Sequence, residues 1–374
     1  MSRFFFGLAK LSPVSSGVLA HKRRSFRLFS SSLATTITPY MSLGDTLKKH
    51  SPDDGTETRD VVFFDPVKEE RLTITDKTFP QELVHSRQIG SSHGWGIFSR
   101  DGERSVCMSN VYHPLSPKSN PEIIPLPSLT ALPDNQTGVV WNVAMSSSSP
   151  SDDDEDCVVA IKFLGNQLSL CRPNRDLRWT NVETLGMLET SNLMYSNRDQ
   201  RFYLPAPGGN ELYSWDLNLD KKNLSPELHQ VVFRDLPELA ESEWGLLDMV
   251  CSRTEHLVES ASTGECFLVK CYAQGYPWSE KFKYMIRRFM VFREEETTQG
   301  RYMCYAEDIG DVCIFLSKSE AFCVQATSCP GLQPNSIYFI GKGFGIYSLA
   351  DNKTIRSFKV PSSSGLYWLP PSCI

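Results

Sequence analysis

Three features of this sequence predict an all-β fold, a β-propeller of roughly six to eight four-stranded blades. From Asp60 onward short apolar runs alternate with turn signals, and helical periodicity is scarce. Tryptophans stand at 95, 141, 179, 215, 244, 278 and 368, and the earlier intervals run close to the 40 to 50 residues that a four-stranded blade takes. An uninterrupted series of short strands over some 315 residues also fits a closed ring, which leaves only short, protected edges. The repeat is degenerate, and Trp215-Asp216 is a lone dipeptide without a Gly-His partner upstream.

The elements follow in order. Val61-Val-Phe-Phe64, Asp65-Pro66 and Arg71-Leu-Thr-Ile-Thr75 form a hairpin whose Asp-Pro begins the reversal. Trp95–Phe98 and Val106–Tyr112 form a second around Asp101-Gly102. Val139–Met145 is a strand, followed by an acidic loop, 146–156. Cys157–Phe163 and Gln167–Cys171 turn at Gly165-Asn166, and Arg201–Leu204 and Glu211–Asp216 turn through the glycine-rich 205–210. Glu255–Ser260 and Cys266–Tyr272, joined by Ser262–Glu265, are the clearest hairpin. Asp311–Leu316, Ser336–Ile340 and Gly345–Leu349 carry the series toward the end. One moderately helical stretch lies near Pro237–Glu243.

The 374 residues suffice for one large or two ordinary domains. With 40% apolar, 22% charged and 11% aromatic residues, wholesale disorder, collagen and coiled coil are disfavoured. No stretch approaches the roughly 18 to 20 consecutive apolar residues of a membrane-spanning helix.

Charge is uneven along the chain. The first acidic residue is Asp45, while Arg3, Lys10, Lys22, Arg23, Arg24 and Arg27 precede it among many serines. Positive charge without acid, with scattered Phe, Leu and Val, reads as an organellar transit peptide over residues 1–29; a secretory core would be longer and unbroken. Arg27-Leu-Phe29 before Ser30 resembles the sites cut by mitochondrial processing enzymes and places the mature start near Ser30. The expected compartment is the mitochondrion, with the plastid as alternative. Residues 30–58 read as a polar linker and 59–374 as the propeller. Without residues 1–29 the chain keeps 32 basic against 44 acidic residues, a charge of −12. Such a domain has no global field to draw in a polyanion, so nucleic acid is not an expected partner.

Candidate chemistry is sparse. Eleven cysteines include no C-x-x-C pair, and most sit inside apolar runs, where a free thiol packs as a small hydrophobe. The seven histidines form no ligand pair. His93, beside Gly94-Trp95-Gly96, is read as a loop histidine packing on a tryptophan rather than a catalytic base. Gly341-Lys-Gly-Phe-Gly345 lacks G-K-[ST] and stands between strands, so it is read as a hairpin turn rather than a phosphate loop. Asp152–Asp156 lacks the spaced ligand pattern for calcium and is read as a solvated loop. Lys281, Lys283, Arg287, Arg288 and Arg293 interleave with Phe282, Tyr284, Phe289 and Phe292, a pattern that stacking on RNA would use. The preferred reading is a strand with alternating faces beside Glu294-Glu295-Glu296. No catalytic, cofactor or metal residue is assigned.

Three ordered motifs carry a resemblance. Cys171-Arg-Pro-Asn-Arg-Asp-Leu-Arg-Trp179, Glu255–Ser260 with Thr263-Gly-Glu265, and Asp308–Leu316 followed by Asn335–Phe339 resemble segments of the plant family catalogued as domain of unknown function 295, the KIB-type β-propeller. The likeness covers most of residues 58–360. Many relatives carry an F-box first; residues 41–58 are too short and polar for one, which resembles the organellar branch of the family and removes the usual reason to infer ubiquitin-ligase recruitment. The resemblance implies a fold and a compartment, and no catalytic residues. The expected function is a non-enzymatic protein-interaction module with a protein partner. The alternatives are a propeller hydrolase or lyase with residues converging on the central channel, and an RNA-binding protein.

Overall fold

The computed structural model describes residues 38–100, 104–130, 138–150, 156–188, 190–220, 224–278, 281–298, 300–359 and 366–371, with the side chains of 187, 277, 278 and 281–283 outside that description. The expected transit peptide, the Asp101-Gly102 turn, Asp152–Glu155 and Cys373 therefore lie outside the described residues.

Six sheets form the blades of an all-β propeller. Blade 1 pairs Tyr367–Leu369 with Tyr40–His50, followed by Glu57–Asp65 and Glu70–Phe79. The ring is thus closed by a strand from each end of the described chain, with Tyr40 opposite Leu369 and Ser42 opposite Tyr367. Blade 2 holds Ser86–Ser92, Trp95–Arg100, Val106–Ser109 and Ile123–Leu126; blade 3 holds Val140–Met145, Val159–Phe163, Gln167–Cys171 and Thr180–Glu183. Blade 4 is Met194–Ser196, Arg201–Pro205, Glu211–Asp216 and Glu227–Gln230. Blade 5 is Ser252–Glu259, Cys266–Trp278, Lys281–Thr297 and Gly300–Tyr305, with a fifth strand, Val232–Arg234, laid parallel on its outer edge. Blade 6 is Phe322–Gln325, Val312–Leu316, Ser336–Ile340, Phe344–Ser348 and Lys353–Ser357, with the second and third parallel.

Burial explains the sequence pattern. A blade packs on a neighbour at each face, so its middle strands are buried on both sides and read as continuous apolar runs rather than alternations. Val159–Phe163, Gln167–Cys171 and Val312–Leu316 are buried at every residue. The buried side chains divide into six clusters, each spanning one seam between neighbouring blades. The closing seam packs Met41, Phe64 and Trp368 of blade 1 against Phe315, Tyr338 and Phe344 of blade 6. Phe315 stacks on Phe322 and Tyr338 at 5.0 and 4.7 Å between centroids and meets Trp368 edge-on, an arrangement that adds to simple burial.

Three expectations are corrected. Residues 40–50, expected within the polar linker, form the second strand of blade 1, so the propeller begins at Tyr40 rather than 59; the exposed second half of this strand, Thr46–His50, hid it. The helix lies at Glu241–Met249, later than Pro237–Glu243, because Pro237 supplies no helical N–H and the run of helix formers follows it. Blades are also longer than the tryptophan spacing implies: the first strands of blades 2 to 5 begin at Ser86, Val140, Met194 and Ser252, which is why six blades fill the chain. The tryptophans mark no common position, for Trp244 is on the helix and Trp368 on the closing strand.

Candidate functional site

Three polar or open features stand out, and two of them share the seam between blades 4 and 5. The first closes one end of the central channel. Ser92, Met145 and Ser196 end the inner strands of blades 2, 3 and 4, and the turn Ser317–Ala321 of blade 6 lies across them. Its buried Glu320 accepts from Ser92 Oγ at 2.5 Å and from Tyr195 N at 2.7 Å, while its own N–H donates to Ser91 O at 3.0 Å. Burial pushes the Glu320 carboxyl up; His93, the hydrogen bonds from Ser92 and Tyr195, and the Met145 N–H act against that. Ser317 Oγ accepts from Trp368 N at 3.2 Å. The result is a polar plug joining blades 1, 2, 3, 4 and 6.

The second is a charged groove of about 340 Å³ at the end of the 4/5 seam where Arg201–Pro205 begins. Asp199 accepts from Arg198 Nε at 3.1 Å, Tyr203 Oη at 2.9 Å and Arg301 at 3.2 Å. Burial works to raise its pKa, but these donors outweigh burial and hold it at about 2. Glu294 pairs with Arg198 at 2.6 Å and Arg301 at 3.7 Å, and Arg201 with Glu227 at 2.7 Å. The groove's charges are thus matched inside the chain, leaving little field for a charged ligand. His229 Nε2 lies 2.8 Å from Ser214 Oγ, a contact a hydrolase would use. Ser214, however, has no accessible surface and its Oγ already accepts from Arg201 Nε at 2.9 Å. The pair ties two strands of blade 4 together.

The third feature is a cavity of about 470 Å³ at the opposite end of the same seam, where the turn after Pro205 meets Arg253. Phe233, Trp244, Tyr272, Met290 and Phe292 give it apolar walls, with Lys270, Arg253, Asp248 and Asn210 beside them. Two insertions shape it: the added strand Val232–Arg234 and the helix Glu241–Met249. That helix is nine residues long, buries only Leu247 fully and has no side-chain N-cap; helices this short depend on their packing. Arg288 anchors it by pairing with Glu243 at 2.7 Å. Of the twelve large hydrophobic side chains exposed among the described residues, seven fall within 228–285: Leu228, Val232, Leu236, Met249, Val250, Tyr284 and Met285. Met249 is 87% exposed.

The residues weighed from sequence are distributed elsewhere. His93 takes φ 49° and Gly94 φ 85° as the corners of the turn into Trp95, the conformation of a type I′ hairpin; His93 faces Glu320, and the Trp95 Nε1 donates to Ser148 O at 3.2 Å. Gly341–Gly345 makes the turn between Ser336–Ile340 and Phe344–Ser348, with Gly341 N bonded to Gly343 O. Along Lys281–Thr297 the faces do not simply alternate: Phe289–Phe292 are buried on both sides, whereas Tyr284, Met285 and Arg287 project into solvent. Phe289 and Phe292 are therefore closed to base stacking. Arg288 is held by Glu243, and Arg293 lies 3.5 Å from Glu265. Ten cysteines lie among the described residues, seven of them buried; burial pushes Cys107 and Cys271 up to about 11, which removes nucleophilic character.

Sequence reasoning missed Glu320, Lys77, Lys162 and Lys270. Lys162 stands inside an apolar run, fully buried, with Nζ donating to Phe163 O and Gly165 O at 2.5 Å. A charge in the middle of such a run is the signal that marks Lys162 and Lys270; Lys77 and Glu320 stand among polar neighbours and carry no such signal.

Comparison with known proteins places a family on this fold. The model of the KIB1-4 β-propeller matches residues 63–361. No curated protein matches the chain. Among solved structures, a candidate 6-phosphogluconolactonase from Bacteroides fragilis shares 10% identity, with 90% of this chain and 99% of that one covered at a TM-score of 0.38. A Lactobacillus plantarum protein shares 11%, with 89% and 99% covered at 0.36, and Kluyveromyces lactis Hsv2 shares 7%, with 65% and 85% covered at 0.26. Likenesses this distant carry no argument about what the chain does.

Proposed function

From the premise that the chain belongs to the KIB1-4 β-propeller family, we propose that it is an organelle-imported, non-enzymatic interaction module that holds a protein partner at the cavity end of the seam between blades 4 and 5. The observation that carries this reading is the apolar margin there: Val232, Leu236, Met249 and Val250 expose half or more of their surface on or directly beside the two segments added to the four-stranded blades. Scattered exposed hydrophobics are ordinary, but a group of them on an insertion marks a contact surface. The basic, acid-free leader supports import, with Arg27-Leu-Phe-Ser30 favouring the mitochondrion over the plastid.

The test compares the tagged chain with Leu236→Asp/Met249→Asp after recovery from isolated organelles. The reading predicts a stoichiometric protein that is lost at least tenfold in the variant while the thermal midpoint stays within a few degrees. Equal recovery by both proteins, or no companion to either, contradicts it.

A further inference from the structure

The cavity between blades 4 and 5 contains an ammonium with no direct ion-pair partner among the described residues, Asp248 and Glu255 acting on it only from a distance. Lys270 is 8% exposed. Its Nζ lies 3.7 Å from the centroid of Phe233 and 4.8 Å from that of Phe292, and it makes no hydrogen bond or ion pair with the described residues. The neighbouring charges are occupied with one another. Arg253 Nε donates to Glu255 at 2.7 Å and its guanidinium lies 3.9 Å from Asp248, while Glu255 also accepts from Gly208 N at 2.7 Å. Two ring faces stabilise a cation, yet by less than the water it has lost. Burial, with Arg253 adding to it, lowers the lysine pKa to about 8 against the opposing pull of Glu255 and Asp248, the mark of a charge that is only partly compensated.

Chemical class follows from these walls. A cavity of about 470 Å³ faced by Phe233, Trp244, Tyr272, Met290 and Phe292 accepts an aromatic or aliphatic body, and the ammonium accepts one anionic group at its end. We propose that this cavity is a binding site for a small apolar monoanion, a carboxylate or sulfonate on a ring or chain, whose charge pairs with Lys270. Ring faces alone would bind a neutral hydrophobe as well; pairing inside a low-dielectric pocket gives the anion its advantage. Val232 and Leu236 line this cavity as well as belonging to the partner margin, so the site is probed at Lys270, which is buried and not part of that margin.

The probe is 1-anilinonaphthalene-8-sulfonate, followed by fluorescence on the purified chain, with N-phenyl-1-naphthylamine as the uncharged analogue. The expected result is one saturable site, at least tenfold weakened in Lys270→Met, with binding of the uncharged analogue changed less than twofold. A second arm needs only the wild-type chain: octanoate displaces the sulfonate probe, and 1-octanol at the same concentration does not. Sulfonate binding that is unsaturable, unaffected by Lys270→Met, or displaced equally by octanoate and octanol overturns the proposal, as does a parallel loss of both fluorescent probes.

Discussion

The carboxylate of Glu320, in blade 6, accepts a hydrogen bond from the backbone N–H of Tyr195, in blade 4, at 2.7 Å across the end of the central channel. The two residues are 125 positions apart, and the same carboxylate receives Ser92 Oγ from blade 2. A buried carboxylate is costly unless its lone pairs are filled. Here the donors come from several blades, so the channel closes around one acid.

Removing that acid leaves buried donors unpaired. Glu320→Ala should cost on the order of 3–5 kcal/mol in urea unfolding. Glu320→Gln keeps acceptor oxygen without the charge and should remain within about 1.5 kcal/mol of the parent at neutral pH. The sign of its pH dependence follows from the raised folded pKa. Below the unfolded value both states are protonated and nothing is lost; above it, ionisation costs the folded state. The parent should therefore gain on Glu320→Gln as pH falls toward the ordinary carboxylate range. A gap that does not vary with pH would refute the buried charge.

Lys77 gives the opposite pH window. It is fully buried, donates to His113 O at 2.8 Å and Ser116 Oγ at 2.6 Å, and burial, with Lys118 adding to it, lowers its pKa to about 7. Between that value and the ordinary lysine range the unfolded chain binds a proton that the folded chain does not, so stability rises with pH there. The stability of the parent minus that of Lys77→Met should accordingly increase from pH 7 to pH 9.5 in denaturant titrations. A decrease would show that the folded lysine keeps its charge.

Gly345 has no room for a side chain. A Cβ there would lie 2.2 Å from Arg356 O, a backbone atom of the adjoining strand. Gly345→Ala should lower stability by roughly 1–3 kcal/mol, as overpacking does, and should loosen the strand Lys353–Ser357 first. Hydrogen exchange confined to that outer strand checks the second half.

Import predicts a processed protein. Expressed with a C-terminal tag and recovered from mitochondria, the chain should begin near Ser30 by mass spectrometry. An intact Met1 in the soluble cell fraction would remove the compartment from the account.

Much of the ring was legible in the sequence because packed blades convert burial into contiguous apolar runs: Val159–Phe163 and Val312–Leu316 read directly as strands. The glycine turn at 341–345 was equally plain, since turn chemistry is local. Tyr40–His50 escaped because half its residues face solvent and its partner strand, Tyr367–Leu369, is more than 300 positions away. The channel plug and the Lys270 cavity were invisible for the same reason. Inner strands do not all start with apolar residues, and the polar groups that matter gather where Ser92, Ser196 and Glu259 end them. Convergence of those ends is a property of the closed ring, not of any one strand.

We propose a protein partner on the margin formed by Val232–Arg234 and Glu241–Met249. The most direct measurement is photo-crosslinking in intact organelles, with benzoylphenylalanine placed at Met249 and, as control, at Leu47, which is also exposed but lies on blade 1. One dominant adduct of defined mass is expected from position 249 and none from position 47. Equal labelling at both positions, or no adduct at 249, would contradict it.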